Sequence, residues 1–442
     1  MIDTGSWSRR EFVKVAVSGA AASMMPLDGL AAAVAPAKRR YAMVGTGDRG
    51  TGMWGTPILT DYPDLVDFVG LCDINPRRAE AARDLLKVSC PTFTDFDEML
   101  DRTKPDLLMV TTVDGYHSEY IVRALDRGID VITEKPMVID ARQCQAVLDA
   151  EKRNNRKIVV TFNYRYAPKH QMIKELLMSG EIGRVLSVDF SWYLDVYHGA
   201  DYFRRWHRLR SMSGSLWCHK ATHHFDLINW WLASDPVEVS ARASLKVYGK
   251  NGTVRHTNCR PCPHKAACRF YTNMTKNAKY MALYAACEGV DGYYRDGCVF
   301  REDIDIFDTM SALVTYGNGV TMAYSLNAAM PFEGYRLAFN GELGRLEIRD
   351  FERQPWKAET DSEIALTKSF GERRVIPAPV VTGGHYGGDQ RLRDLIFKRV
   401  SMPEHMQLPD SRAGAMSSLI GVAARTSVDE ARPIRLADLV KL

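Results

Sequence analysis

Tyr41-Ala42-Met43-Val44-Gly45-Thr46-Gly47-Asp48-Arg49-Gly50 decides the fold. Four apolar residues run straight into three glycines with the G-x-G-x-x-G spacing, which reads as a strand turning tightly into a helix. Glycines belong where the backbone must turn sharply and let a pyrophosphate approach, and the helix start then offers its free N–H groups to the phosphates. An acid is expected about 20 residues further on, at the end of the next strand, to bind a ribose 2′-hydroxyl. Asp73 stands 23 residues after Gly50 and follows the apolar run Val66–Cys72. An acid there disfavours a 2′-phosphate, so NAD is expected rather than NADP, although Arg77 and Arg78 follow closely.

Outward from this turn, short apolar runs alternate with amphipathic stretches up to residue 162. Strands are expected at Tyr41–Val44, Val66–Cys72, Leu107–Thr111, Val131–Thr133 and Ile158–Phe162, and helices at Arg78–Leu86, Ser118–Arg127 and Arg142–Arg153. Parallel strands need such crossovers, so residues 40–162 read as a Rossmann-type doubly wound parallel sheet. After Asn163 the texture changes. A helix over Pro168–Met178 leads into longer alternating runs, Leu186–Leu194, Glu238–Val247, Met310–Tyr316, Val320–Leu326 and Tyr335–Asn340. Residues 163–410 therefore read as an α+β substrate domain with an open, largely antiparallel sheet, carrying a Cys-rich insertion over 250–300. Residues 411–442 read as a C-terminal helix that packs back on the core. The whole is an α/β chain.

Glu134-Lys135-Pro136 follows the strand at Val131–Thr133. An amine at a strand's carboxyl end, beside a nucleotide, can polarise a hydroxyl or a carbonyl. With GTGDRG (45–50), CDIN (72–75), TTVDGYHSEY (111–120), EKPM (134–137), FNYRYAP (162–168) and HHFDLINWW (223–231), the chain resembles the Gfo/Idh/MocA family of oxidoreductases. The resemblance implies a Rossmann domain, an open-faced sheet domain, a nicotinamide cofactor and often a sugar or cyclitol substrate. It implies cofactor contacts from Gly45, Gly47, Asp48, Arg49, Gly50, Asp73, Thr111, His117, Glu134, Lys135 and Asn163, with Lys135 as the active-site lysine and Arg165 near the nicotinamide pocket.

Four residues separate His219 from His223, so on a helix both would face the same way. Members of the resembled family typically carry an aspartate in place of His219. The resemblance makes His223 the general base, a role that suits imidazole because its ordinary pKa lies near neutrality. His219 is then expected to orient His223 or to bind substrate. Arg165, Tyr193, Trp206, Lys220 and His385 are the candidate substrate contacts. His385 sits in Gly383-Gly384-His385-Tyr386-Gly387-Gly388-Asp389, a loop that reads either as a lid or as a tight connection before the helix Gln390–Lys398. Cys259, Cys262, Cys268 and Cys298 have spacings compatible with a tetrahedral zinc site, with disulfides, or with an iron–sulfur cluster; structural zinc is the expectation.

A net charge of +4 on 442 residues is too weak for a nucleic-acid partner, and the 46% hydrophobic content is that of an ordinary globular chain. Ser8-Arg9-Arg10-Glu11-Phe12-Val13-Lys14, an apolar stretch from Val15 to Met25 and small residues over 31–37 read as a twin-arginine signal within residues 1–35, hence a periplasmic or secreted protein without stable membrane insertion. The expected activity is oxidoreduction of a secondary hydroxyl or keto group of a sugar or glycoside by tightly bound NAD(H). A redox-neutral glycoside cleavage on one bound NAD and a non-catalytic sugar-binding protein stand as alternatives. The open sheet face is the expected surface for a homo-oligomer.

Overall fold

Residues 38–357 and 362–441 are described by the computed structural model; the expected export signal lies outside the described residues. Six strands, β1 (Arg39–Val44), β2 (Val66–Cys72), β3 (Thr92–Phe93), β4 (Leu107–Val110), β5 (Asp130–Thr133) and β6 (Ile158–Val160), form one sheet in the order β3-β2-β1-β4-β5-β6. Every pairing in it is parallel. The order reverses direction between β1 and β4, and a ligand crevice opens at such a switch point, outside the carboxyl ends of the strands. β1 and β4 are buried on both faces, as strands covered by helices on each side must be. Gly45 takes φ +86 at the end of β1, a left-handed conformation reserved for glycine, and a Cβ there would stand 2.6 Å from the Thr111 backbone. A π-helical turn over Gly50–Gly55 then opens the first crossover helix, Thr56–Asp61.

The second sheet has nine strands: β7 (Val185–Asp195), β8 (Pro236–Ser244), β9 (Thr309–Tyr316), β10 (Thr321–Met330), β11 (Glu333–Gly341), β12 (Gly344–Arg353), β13 (Ser362–Lys368), β14 (Arg373–Pro377) and β15 (Ile434–Arg435). Their order is β14-β13-β12-β11-β7-β10-β9-β8-β15. Only the pair β7–β10 is parallel; the other pairs are antiparallel. Along β7 the buried Val188, Phe190, Trp192 and Leu194 alternate with Ser187, Asp189, Ser191 and Tyr193, so one face is packed and the other is open and polar.

The packed face carries helix Ala221–Leu232, of which ten of the twelve residues are buried. Helix Ser411–Glu430 lies against it and against β8. Its small residues permit a close approach: a Cβ on Gly421 would stand 2.5 Å from the Trp217 carbonyl. This contact holds the short helix Leu216–His219 in place and so fixes where His219 points. No helix among the described residues is long and apolar enough to cross a membrane.

Candidate functional site

One large cavity, about 1250 Å³, runs from the glycine turn to the packed end of the nine-stranded sheet. A single small ligand needs roughly 300–1,000 Å³, so there is room for a dinucleotide and a second small molecule. Gly45, Gly47, Asp48, Arg49, Asp73, Thr111, His117, Glu134, Lys135, Trp206, His219, Lys220, His223 and His385 all line it.

The dinucleotide end is built from strand ends. Thr111, after β4, donates its hydroxyl to the Gly45 carbonyl and braces the turn. Gly50 is a packing glycine: a Cβ would meet the Gly45 carbonyl at 2.6 Å. Glu134, after β5, accepts from Arg49 Nε and Trp54 Nε1, both at 2.7 Å. Burial would raise its carboxyl, but Arg49 and Lys135 outweigh that and hold it below its usual range. Asp73 Oδ2 accepts from the amide of Thr46 at 2.9 Å, and Oδ1 from Arg78 Nη1 at 3.1 Å. Arg78 is also paired with Asp291 at 2.5 Å, so two carboxylates occupy the cation that could have held a 2′-phosphate. His117 has both ring nitrogens against carbonyls, Pro136 at 2.8 Å and Thr112 at 3.1 Å, and braces the Glu134-Lys135-Pro136 segment. The residues present fit a dinucleotide. Gly47 offers the cavity a wall without a side chain, and the helical turn that begins at Asp48 offers N-terminal amides to a phosphate.

The chemical end gathers Lys135, His223 and His219. Burial brings the Lys135 ammonium down to about 8, against the pull of Asp114 and Glu134. Its Nζ donates to the His219 carbonyl at 3.1 Å. His223 stacks on Tyr164 at 4.6 Å between ring centroids, and its Nδ1 is buried without a hydrogen-bond partner. Burial, joined by the charges of Lys135, His385 and Lys220, pushes its pKa well below the ordinary value, so the ring is neutral and able to accept a proton at neutral pH. The next residue, His224, packs instead: it stacks on Trp192 at 4.0 Å and meets Tyr324 Oη at 2.7 Å.

His219 and His223 do not share one continuous helix, since the chain turns at Lys220 between Leu216–His219 and Ala221–Leu232. Nor does His219 orient His223. Its Nδ1 is 2.6 Å from Asp114 Oδ2, and its ring lies among Tyr202, Trp206 and His207. Asp114 opens the short helical turn Asp114–Tyr116 after β4. From the other sheet it brings a carboxylate to the side of His219. Burial raises the Asp114 carboxyl and lowers the His219 imidazole. Asp114 also supports the charge on Lys135. Asp114→Asn is therefore expected to cost about tenfold in kcat near neutrality and to move the high-pH limb of the rate profile downward, because Lys135 then loses its proton more readily. A limb that stays in place overturns this coupling.

Other expected contacts fall elsewhere. Arg165 lies outside the cavity, with Nε and Nη2 on Asp226 at 2.7 and 2.5 Å, and this bidentate pair joins the chain after β6 to helix Ala221–Leu232. Tyr193 points to the open face of the sheet and meets Phe332 at 5.4 Å, because strand parity turns it away from its buried neighbour Trp192. Asn163 Nδ2 donates to Asp389 Oδ1 at 2.5 Å and lies 2.9 Å from His385 Nδ1, tying the late glycine loop to the end of β6. His385 and Tyr386 hold φ of +48 and +57, unusual for such residues, and Tyr386 lies against Lys169 at 3.3 Å. Lys220 lines the cavity over the Trp192 ring at 4.8 Å. Glu352, which the sequence did not single out, lines the same cavity with Oε1 buried and unpartnered.

Among the described residues no group of three or more His, Cys, Asp or Glu side chains is placed to hold a metal ion, and Cys259, Cys262, Cys268 and Cys298 are unpaired, so the structure lends no support to the expected zinc site. Arg204 Nη1 lies 3.2 Å from Cys259 Sγ.

Residues 39–162 match the NAD-binding Rossmann fold of the Gfo/Idh/MocA oxidoreductase family, and residues 174–436 match that family's C-terminal alpha/beta domain. The chain is 37% identical over 425 residues to YteT of Bacillus subtilis (strain 168), covering 91% of this chain and 99% of that protein. It is 31% identical over 136 residues to the inositol 2-dehydrogenase/D-chiro-inositol 3-dehydrogenase of Lactiplantibacillus plantarum, a match that spans 30% of this chain and 39% of the relative. Among solved structures, an oxidoreductase domain protein from Kribbella flavida aligns with TM-score 0.65 at 19% identity over 90% of this chain and 99% of its own. The WlbA dehydrogenase from Bordetella pertussis, solved with NADH and UDP-GlcNAcA, aligns with TM-score 0.62 at 17% identity over 90% of this chain and 99% of its own.

Proposed function

The chain belongs to the Gfo/Idh/MocA family of NAD-binding oxidoreductases, and from that premise we propose that it oxidises a secondary hydroxyl of a sugar or cyclitol, or reduces the matching ketone, on an NAD(H) that it keeps bound outside the cytoplasm. The observation that carries this reading is the convergence of Lys135, at the dinucleotide end, with the neutral His223, from the helix under the second sheet, in one cavity. Bound NAD supplies the acceptor or the donor of a hydride. Lys135 as ammonium lowers the cost of negative charge developing on the substrate oxygen. His223 takes the hydroxyl proton, and its lowered pKa keeps it free to do so. Tyr202 and Trp206 give the cavity aromatic walls on which the C–H faces of a sugar can lie, while Lys220 and the unpartnered Glu352 oxygen offer a donor and an acceptor to its hydroxyls. The inositol and glucose-6-phosphate dehydrogenases among the relatives favour a polyhydroxylated substrate.

Export rests on the Ser8–Lys14 stretch. An exported enzyme has no soluble nicotinamide pool to draw on, which favours retention. Protein matured in its own host and purified without added nucleotide is expected to release a stoichiometric amount of NAD(H) on denaturation, and the native protein to reduce its bound NAD with the true sugar and yield a keto-sugar. Release of no nicotinamide nucleotide overturns retention. Release of a free aglycone without net oxidation points instead to redox-neutral cleavage.

A further inference from the structure

The insertion between β8 and β9 leaves the second sheet, crosses the cavity and lands on the dinucleotide-binding half. It lands on helix Pro76–Leu86, where Met274, Leu283 and Tyr284 form a small apolar cluster with Ala82, separate from the main core. Polar bonds fasten the same contact. Asn75 Nδ2 donates to the Cys287 carbonyl at 3.0 Å and to Asp291 at 2.8 Å. Arg78 Nε donates to the Leu283 carbonyl at 3.1 Å. A second fastening lies on the glycine turn: the Asp48 amide donates to Tyr284 Oη at 2.8 Å, and Lys279 Nζ pairs with Asp48 Oδ1 at 2.8 Å.

Two groups on this strap face the cavity with bonding capacity to spare. Tyr284 Oη accepts from the Asp48 amide, one of the first N–H groups of the helix that would meet a phosphate. Its own proton is free to donate. A Cβ on Gly47 would stand 3.0 Å from that hydroxyl, so nothing larger than hydrogen separates the two walls. Arg295 stacks over the rings of Tyr280 and Tyr284 at 4.1 and 4.6 Å. Its guanidinium side chain is 10% exposed, and among the described residues the one carboxylate within ion-pair reach is Asp48, at 3.8 Å. A largely buried, cavity-lining guanidinium with so long a partner has a fork open for a diphosphate.

Building on the NAD reading above, we propose that the insertion is a cofactor clamp in which Tyr284 and Arg295, seated against the glycine turn, add a hydroxyl and a guanidinium to its amides around the dinucleotide pyrophosphate. The latches on Asp48, Asn75 and Arg78 must open before the cofactor can leave. The clamp gives retention a physical cause that the glycine turn alone does not provide.

The test is the rate at which the full chain releases NADH. Protein loaded with NADH is mixed with excess NAD, and the loss of bound-nicotinamide fluorescence is followed. Arg295→Gln and Tyr284→Phe are expected to release NADH roughly ten- to hundredfold faster than the parent, the loss of one or two hydrogen bonds to a charged group. Lys279→Ala, which breaks a half-exposed latch outside the cavity and leaves the core intact, is expected to speed release severalfold and guards against misfolding of the other two. Release from all three within twofold of the parent overturns the clamp while leaving the NAD reading standing. Slower release from Tyr284→Phe overturns it too, because the hydroxyl then obstructs the phosphate site. A parent that carries no nicotinamide nucleotide on purification and also takes up no added NADH overturns the NAD reading and the clamp with it.

Discussion

Lys135→Ala lowers hydride transfer by about 10²-fold or more while the dinucleotide stays bound. The size follows from where the ammonium sits. Lys135 is anchored on the His219 carbonyl at 3.1 Å, in a site where burial already weakens its charge. A low-dielectric site makes that one charge worth far more to a developing alkoxide than it would be in water. The dinucleotide contacts proposed above lie on the glycine turn and on Arg49, which Glu134 holds independently of the lysine side chain. Binding of NADH, followed by fluorescence, should therefore change little. The pH profile gives a second signature. With the lysine near 8, oxidation by the parent holds level across neutral pH and falls as pH rises through about 8, when the ammonium is lost. In Lys135→Ala that fall disappears. A variant that reduces bound NAD within about threefold of the parent removes Lys135 from the chemistry.

His223→Asn is expected to cost about 10²-fold or more in the same single-turnover measurement. Asparagine keeps a polar side chain of similar reach beside Tyr164 but cannot take up a proton. The parent should show no loss of activity down to well below pH 6.5, because burial and the cations Lys135 and Lys220 keep the imidazole neutral there. If His223→Asn retains near-parent rates, the proton is taken by another group, and the Asp114–His219 pair becomes the next candidate.

The parallel half of the fold was legible because its signals are local. The apolar run, the three glycines and the acid at residue 73 each state a backbone requirement in their own neighbourhood, and the helix expected at Pro168–Met178 is found with those ends. β12 escaped notice although Leu346 and Ile348 alternate with Arg345, Glu347 and Arg349; the charges on its open face hid a period of two. β14 is the edge strand, where burial is slight, and the run of three buried residues in β13, Ile364, Ala365 and Leu366, breaks the period of two. In the site, Lys135 and His223 could be named because they sit in short recognisable stretches. Asp114 could have been found: it follows the fourth strand, at the carboxyl edge where ligands collect. Arg165 was misread because its partner, Asp226, lies 61 residues away. The cysteines show the same limit: spacing along the chain says nothing about Arg204, which comes from the helix Val196–Arg204 to meet Cys259.

The bond between Asp114 and His219 also makes two distant positions answer to each other. An aspartate placed at 219 in this background would stand beside the Asp114 carboxyl, and two carboxyls so close oppose each other's ionisation. The same replacement with residue 114 uncharged would meet no such opposition. The two substitutions are thus non-additive. Neither step is free alone, so a path between this arrangement and one with the acid on the helix runs through a less fit intermediate unless both residues change together.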